Sequence, residues 1–409
     1  MTTSDPLLTF SQAKARLLDQ VPKKLATSII GISDALHKIT AKDIISPMDV
    51  PSFNNSAMDG YAVRLSEIKT QQPLSVAGTI YAGQQTLPYW PKNSCLRIMT
   101  GAPVPDEADA VVMQEQTQQN SNRITFLQPI KPQQNIRYIG EDIKKGEIVV
   151  NSGQKLTIPH IARLAALGIS EIEVYHPLKV ALFSTGDELR EIGDSLSAGK
   201  IFDINRLTLK LMLQQLGCQV IDLGIVADDP SQIEQTFTDA MQADMIITTG
   251  GVSVGEADFT KQVLEKIGKV QFWKIAMKPG KPFTYGRLNN AIYCGLPGNP
   301  ISAMVTFYQL VQPLILLLSG LTDIQSTFPQ FQVKTLSAIN KKPGRVDFQR
   351  GNLIADKHGE LNVTVATHQG SHITQSLNHT NCFVVLEQER GKVAAGEYVT
   401  VELFNPLLS

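Results

Sequence analysis

Between residues 178 and 320, strand-like apolar runs alternate with helical stretches, and each run ends in a loop rich in glycine or acid. Val180–Ser184 precedes Thr185-Gly186-Asp187-Glu188-Leu189. A helix is predicted from about Asn205, a suitable N-cap, to Leu216, with Gly217 as its stop. Val220–Val226 leads to Ala227-Asp228-Asp229-Pro230 and a helix to about Gln242. Met245–Thr248 runs into GGVSVGEAD, with a helix from about 258 to 266. Ala291–Cys294 leads into GLPGNP, where Asn299 can cap and Pro300 can take the first helical position. Such alternation folds as a mostly parallel sheet covered by helices on both faces, so the class is α/β.

Ligands of an open parallel sheet bind beyond the carboxyl ends of its strands. Those ends carry Asp187 and Glu188, Asp228 and Asp229, Gly250 to Asp258, and Asn299. Bare glycine lets backbone N–H groups approach a phosphate, and the following helix N-terminus favours negative charge. Carboxylates beside a phosphate repel it unless a hard cation lies between, and Mg²⁺ takes one or two carboxylates plus phosphate oxygens and water. The plainer reading of the same acids is as helix caps. GGVSVGEAD matches neither the P-loop nor the dinucleotide fingerprint. Lys274, Lys278 and Lys281 in WKIAMKPGKPFTYG form a second candidate anion site, near in sequence to the GLPGNP turn, with a solvated turn as the alternative.

Elsewhere the texture changes. Residues 9–20 and about 30–40 have helical spacing. From 45 to 145, short apolar segments (Leu74–Val76, Cys95–Met99, Ala110–Met113, Arg123–Leu127) alternate with turns, predicting an inserted β-rich lobe. Pro159 to Leu167 is a helix candidate stopped by Gly168, and residues 328–409 return to short strands. The length of 409 residues calls for several domains. A net charge of −1 offers no general field for nucleic acid or an anionic membrane, so any anion site must be local. Ile301 to Leu318 contains Gln309, Gln312 and Pro313 and is expected as a buried core helix, not a membrane span. The four cysteines are isolated, which supports neither a zinc knuckle nor a disulfide framework. His368 and His372 are expected to be ordinary histidines. With no basic n-region and apolar h-region at the start, a cytoplasmic setting is expected.

Six ordered motifs are more specific. FNNSAMDGYAV (53–63), RIMTGAPVPDEADAVVMQE (97–115), STGDEL (184–189), TTGGVSVGEADF (248–259), MKPGKPFTYG (277–286) and GLPGNPISA (295–303) together resemble the molybdopterin molybdenumtransferases, the MoeA family, related to the E domain of gephyrin and its plant counterpart. The resemblance implies a molybdopterin-binding α/β domain of residues 7–26 and 178–327 and a small linking domain of 27–44 and 146–177. It also implies the inserted lobe of 45–145 and a C-terminal β domain of 328–409. It further implies a homodimer whose cleft lies between the α/β domain of one subunit and the lobe of the other. The implied reaction takes adenylylated molybdopterin and molybdate, uses Mg²⁺, releases AMP and inserts molybdenum at the dithiolene. Other cofactor-synthesis proteins are implied as partners.

Carried over by motif, the implied catalytic acids are Asp59, Asp142, Glu188, Asp228 and Asp258, with Glu188, Asp228 and Asp258 toward Mg²⁺. Thr100 and Arg137 fall on the lobe's side. Thr249, Gly250, Gly251 and Ser253 fall on the pterin loop. Lys274, Lys278, Pro279 and Lys281 form the basic loop, followed by Pro297, Asn299 and Pro300. Arg350 and Ser371 are the C-terminal candidates. Two alternatives stand beside this: a non-catalytic scaffold of the gephyrin E-domain type, and a MogA-like adenylyltransferase. The retained carboxylates weigh against the first, and the lobe and C-terminal domain against the second.

Overall fold

The computed structural model describes residues 7–19, 26–68, 72–87, 89–250, 259–324 and 327–408. Its central sheet runs in the order Gln219–Val226, Lys179–Thr185, Met245–Thr249, Ala291–Leu296, Pro282–Leu288, Lys269–Lys274. The first four strands are parallel, Pro282–Leu288 runs antiparallel to them, and Lys269–Lys274 pairs antiparallel with Pro282–Leu288. Side chains on successive residues point to opposite faces, and the core divides accordingly. Val180, Leu182, Met245, Ile247, Ile292 and Cys294 join one buried cluster, while Ala181, Phe183, Ile246 and Tyr293 join another. On the first face lie Leu209 and Leu213 of the Ile204–Gln215 helix, and Ala13 and Leu17 of the Phe10–Leu18 helix. On the second lie Ile233 and Phe237 of Pro230–Ala240, and Val263 and Leu264 of Phe259–Ile267. Near-continuous apolar strand text reflects burial on both faces.

The expected core helix is there, but it is not regular. Pro300–Thr306 and Gln312–Leu318 are α-helical and flank a π-helical turn at Phe307–Val311. Its apolar window is 94% buried inside the protein. Three local expectations need correction. Residues 30–40 do not form a helix: Thr27–Gly31 is a strand paired with Glu171–Tyr175, and Ile32–Asp34 is a single 3₁₀ turn. Ile29 and Ile30 favour the strand because branching at Cβ suits a pleat. The N-cap of Ile204–Gln215 is Asp203, whose side chain accepts from Arg206 N–H, not Asn205. Asn299 stands at the N-cap position of Pro300–Thr306, but its side chain makes no capping bond.

The segment 330–403 builds a barrel. Val346–Ala355, Leu361–Val365, Gln330–Thr335, Tyr398–Leu403 and Cys382–Leu386 pair in that order, and the last pairs back onto the first. Closure removes the unpaired edges an open sheet would leave. One further strand joins from outside: Met277–Lys278 runs parallel to Val346 and Asp347. Residues 60–126 supply a third six-stranded sheet, Ala110–Met113, Gly60–Val63, Ser94–Ile98, Leu74–Ile80, Arg123–Phe126, Thr117–Asn120. Between this lobe and the α/β sheet, the Ile158–Ala166 helix and the Thr27–Gly31 and Ile148–Val150 strands enclose a small core around Leu156, Leu164 and Ile172. Cys95, Cys218, Cys294 and Cys382 are all free and buried.

Candidate functional site

A cleft of about 560 Å³ opens where the α/β sheet meets the barrel. Gly250 forms part of its wall just past the Met245–Thr249 strand. This residue has φ +87°, and a Cβ there would lie 2.4 Å from the Thr185 carbonyl oxygen. Handedness and space therefore both demand glycine. Gly251, Ser253 and Asp258, three of the residues the sequence selects, lie outside the described residues.

Lys278, Pro279 and Lys281 line the second wall. The Met277–Lys278 strand belongs to the barrel's sheet, whereas Lys274 ends a strand of the α/β sheet. Between them the chain crosses from one sheet to the other, and the Pro-Gly turn follows. Gly280 permits that turn, since a Cβ would meet Thr306 Oγ1 at 2.3 Å. Lys278 Nζ sits 3.3 Å from Asp347 Oδ2, and Gln349 Nε2 donates to the same oxygen at 3.1 Å. Lys274 is exposed and does not line the cleft, contrary to its grouping with Lys278 and Lys281 in sequence.

Pro297 and Asn299 form the third wall, with Pro300 opening the helix behind them. Ser371 and Arg350 close it from the barrel. The Ser371 carbonyl accepts from Ile301 N–H at 3.0 Å, so the barrel loop docks on the helix N-terminus. Arg350 is 1% exposed. Its Nε donates to Ser376 Oγ and its Nη2 to the carbonyls of His368 and Gly370. Burial lowers its pKa, opposed by the Asp347 carboxylate. The guanidinium thus braces the 368–371 loop while adding positive charge to the cleft. His368 takes part through its backbone.

Arg345, Asp347 and Gln369 also line the cleft, and sequence reasoning passed over them. Gln369 exchanges hydrogen bonds with the Arg350 backbone, accepting at Oε1 and donating from Nε2. The motif text is least distinctive in the C-terminal domain, and the turn Lys342-Pro343-Gly344 before Arg345 was the one available signal. With Lys278, Lys281, Arg345 and Arg350 against Asp347, the cleft is strongly cationic although the chain's net charge is −1. Such a cavity suits a compact oxyanion.

The acids gather beside the glycine wall. Asp187 N–H donates to Asp228 Oδ2 at 3.4 Å and Asp228 N–H to Asp187 Oδ1 at 3.2 Å, linking the ends of two neighbouring parallel strands. Glu188 folds its carboxylate over Gly186. Burial raises the Asp228 pKa, and the charges of Asp187 and Glu188 add to it, against the hydrogen bond from Asp187. Among the described residues no cluster of three or more metal-ligating side chains is assembled. The lobe's candidates stand apart. Asp59 accepts from Thr100 N–H and Thr100 Oγ1, each at 2.7 Å, and those bonds lower its pKa. Arg137 pairs with Asn55 across a two-residue ladder, and Asp142 is exposed. None of these four lines the cleft.

Comparison with known proteins agrees along the chain. Residues 8–168 match the MoeA N-terminal region (domain I and II), 181–316 a probable molybdopterin binding domain, and 332–404 the MoeA C-terminal region (domain IV). The chain is 53% identical to a molybdopterin molybdenumtransferase of Haemophilus influenzae, over 98% of this chain and 100% of that protein. It is 35% identical to gephyrin of Dictyostelium discoideum, over 92% of this chain and 59% of that one. A crystal structure of the molybdopterin biosynthesis moeA protein from Pyrococcus horikoshii superposes with a TM-score of 0.84 at 27% identity, covering 98% of this chain and 100% of that one. By sequence along its whole length and by fold, this chain belongs to the molybdopterin molybdenumtransferase (MoeA) family of enzymes.

Proposed function

We propose that the chain inserts molybdenum from molybdate into molybdopterin, that the pterin arrives adenylylated, and that AMP leaves with Mg²⁺ dependence. The observation that carries this reading is one cleft whose glycine wall adjoins an acidic cluster while its other walls are cationic. Lys278, Lys281 and Arg345 would hold molybdate, a tetrahedral dianion, by charge-assisted hydrogen bonds. Backbone N–H groups past Thr249 would take the pterin phosphate. The dithiolene sulfurs belong to the substrate, which fits four buried cysteines that take no part in the cleft.

The acidic set fits Mg²⁺. All its donors are oxygens, Asp187 and Asp228 are tied together by their backbone N–H groups, and Mg²⁺ needs only one or two carboxylates beside phosphate and water. Glu188 and Asp228, with Asp258, would hold it. When bound, the ion offsets negative charge developing on the phosphate oxygens as AMP departs. The chain itself contributes positioning: it sets oxyanion and dithiolene side by side and restricts their approach.

The lobe's Asp59, Thr100, Arg137 and Asp142 do not reach the cleft of their own chain. This supports a homodimer in which the lobe of one subunit faces the α/β domain of the other. Free cysteines fit a reducing cytoplasm. The test is direct. Purified protein with adenylylated molybdopterin, Mg²⁺ and molybdate should yield AMP and molybdenum cofactor together. Neither product would leave the scaffold reading, and consumption of ATP with unmodified molybdopterin would favour an adenylyltransferase.

A further inference from the structure

We infer that Asn205 is a positioning residue that locks the pterin loop to the oxyanion wall, an inference that rests on the reaction proposed above. The sequence suggests a helix cap at this position, but Asp203 fills that role, so the Asn205 amide is free for another. Its Nδ2 donates to Thr249 Oγ1 at 3.0 Å and to the Gly298 carbonyl at 2.7 Å. These acceptors lie on different loops. Thr249 ends the strand that delivers Gly250, and Gly298 sits in the turn between Pro297 and Asn299. Both loops line the cleft, one on the pterin side and one on the oxyanion side. Thr249 Oγ1 lies 3.5 Å from the Pro297 carbonyl, so the hydroxyl that accepts from Asn205 can itself reach the same turn.

The mounting is stiff. Asn205 occupies the first turn of Ile204–Gln215. Beside it, Asp203 is 3% exposed, caps Arg206 N–H and pairs with Arg206 Nε at 3.1 Å. Arg206 also reaches Asp222 on the neighbouring strand. A donor fixed in this way sets the spacing between two loops that carry different substrates. A primary amide has two N–H groups on one nitrogen, which the two acceptors use. A carboxylate of the same shape has none, and would turn an acceptor toward the Gly298 carbonyl.

Asn205 touches neither substrate in this assignment, so each should bind on its own nearly as before. What fails is their mutual alignment, and small misplacements of reacting groups cost about a hundredfold in rate. The experiment uses the full chain with Asn205→Ala and Asn205→Asp. It measures molybdate binding by equilibrium dialysis, pterin binding by fluorescence, and kcat with both substrates saturating. We expect each separate affinity within about threefold of the parent chain, and kcat down about ten- to a hundredfold in both variants. An unchanged kcat overturns the inference. So does a loss of affinity for one substrate that accounts for the whole defect, which would make Asn205 a binding group. Full activity of Asn205→Asp overturns the donor role, and this near-isosteric variant decides alone if the alanine variant does not fold. A parent chain without turnover overturns the proposed reaction itself, an outcome distinct from a failure confined to Asn205.

Discussion

Lys278 and Asp347 are register partners on two parallel strands, one reached from the α/β sheet and one within the barrel, and their charged groups meet at 3.3 Å. The carboxylate holds the lysine head at the wall of an anion cleft and also repels the anion. Lys278→Ala therefore acts twice in one direction: it removes a cation and leaves Asp347 less compensated. Loss of one charge-assisted hydrogen bond, about 1.5–3 kcal/mol, corresponds to about ten- to a hundredfold in affinity. Molybdate titration at fixed pterin should show that rise in half-saturation, with Lys278→Arg milder and pterin affinity nearly intact. An unchanged midpoint, or an equal loss of pterin affinity, would assign the loop to a different ligand.

Asp59 and Asp228 should respond to acid in opposite senses. Hydrogen bonds from Thr100 hold the Asp59 carboxyl below the usual range, so its contribution to stability is present above the unfolded pKa and is lost as pH falls through the folded one. Burial and neighbouring acids raise Asp228, which therefore withdraws stability at neutral pH. That cost is relieved as pH falls from its folded pKa to the unfolded value. Thermal melts across pH 3–7 (about the range in which carboxylates titrate) should show Asp228→Asn more stable than the parent at neutral pH, and Asp59→Asn less stable. Both differences should shrink toward the acid end. Parallel, pH-independent offsets would contradict the assignment.

Glu188→Gln keeps the side chain's shape and removes its charge from the acidic cluster. AMP release should drop while the circular dichroism spectrum and melting temperature stay close to the parent. Normal turnover by this variant would take Glu188 out of the reaction.

Shared clefts can be complemented. Asp59→Asn and Asp228→Asn chains should each be inactive alone and should regain part of the activity after subunit exchange, because some mixed dimers pair two native surfaces. Full turnover by a chain that sedimentation shows to be monomeric would exclude this arrangement.

Gly250→Ala meets two obstacles, a left-handed backbone and the Thr185 carbonyl 2.4 Å from the new methyl carbon. The backbone term alone is about 1–2 kcal/mol. The variant should melt earlier and lose pterin affinity, and chemical denaturation would reveal a stability loss at or above that figure. Unchanged stability would mean that the loop can be rebuilt without its glycine.

Period and punctuation made the α/β sheet readable. Val180 to Phe183 and Met245 to Ile247 sort strictly by face, and each glycine or proline stop fell near a true boundary. Residues 30–40 misled because a short amphipathic segment satisfies either period until its partner strand is known. The barrel's contribution to the cleft was harder to see. Asp347, with Arg345 just before it, owes its place to pairing with a strand almost seventy residues earlier, as in Lys278 with Asp347, and Gln369 to its hydrogen bonds with the Arg350 backbone. Nothing local in sequence encodes such a register. Asn205 was misread for a related reason: both a cap and a loop clamp begin with an amide at a helix start, and only the spatial neighbours separate them.

The crossing of residues 277 and 278 into the barrel's sheet has a consequence for biosynthesis. Chains are made from the N-terminus, and early segments fold while later ones are still emerging. Lysines 278 and 281 leave the ribosome well before residues 345–371, yet Asp347, Arg350 and Ser371 complete the cavity around them. A half-made chain therefore carries the pterin loop without an oxyanion receptacle. Only a chain completed through the barrel holds the full cationic lining, so under the proposed reaction a product truncated before residue 345 should bind molybdate more weakly than the full chain.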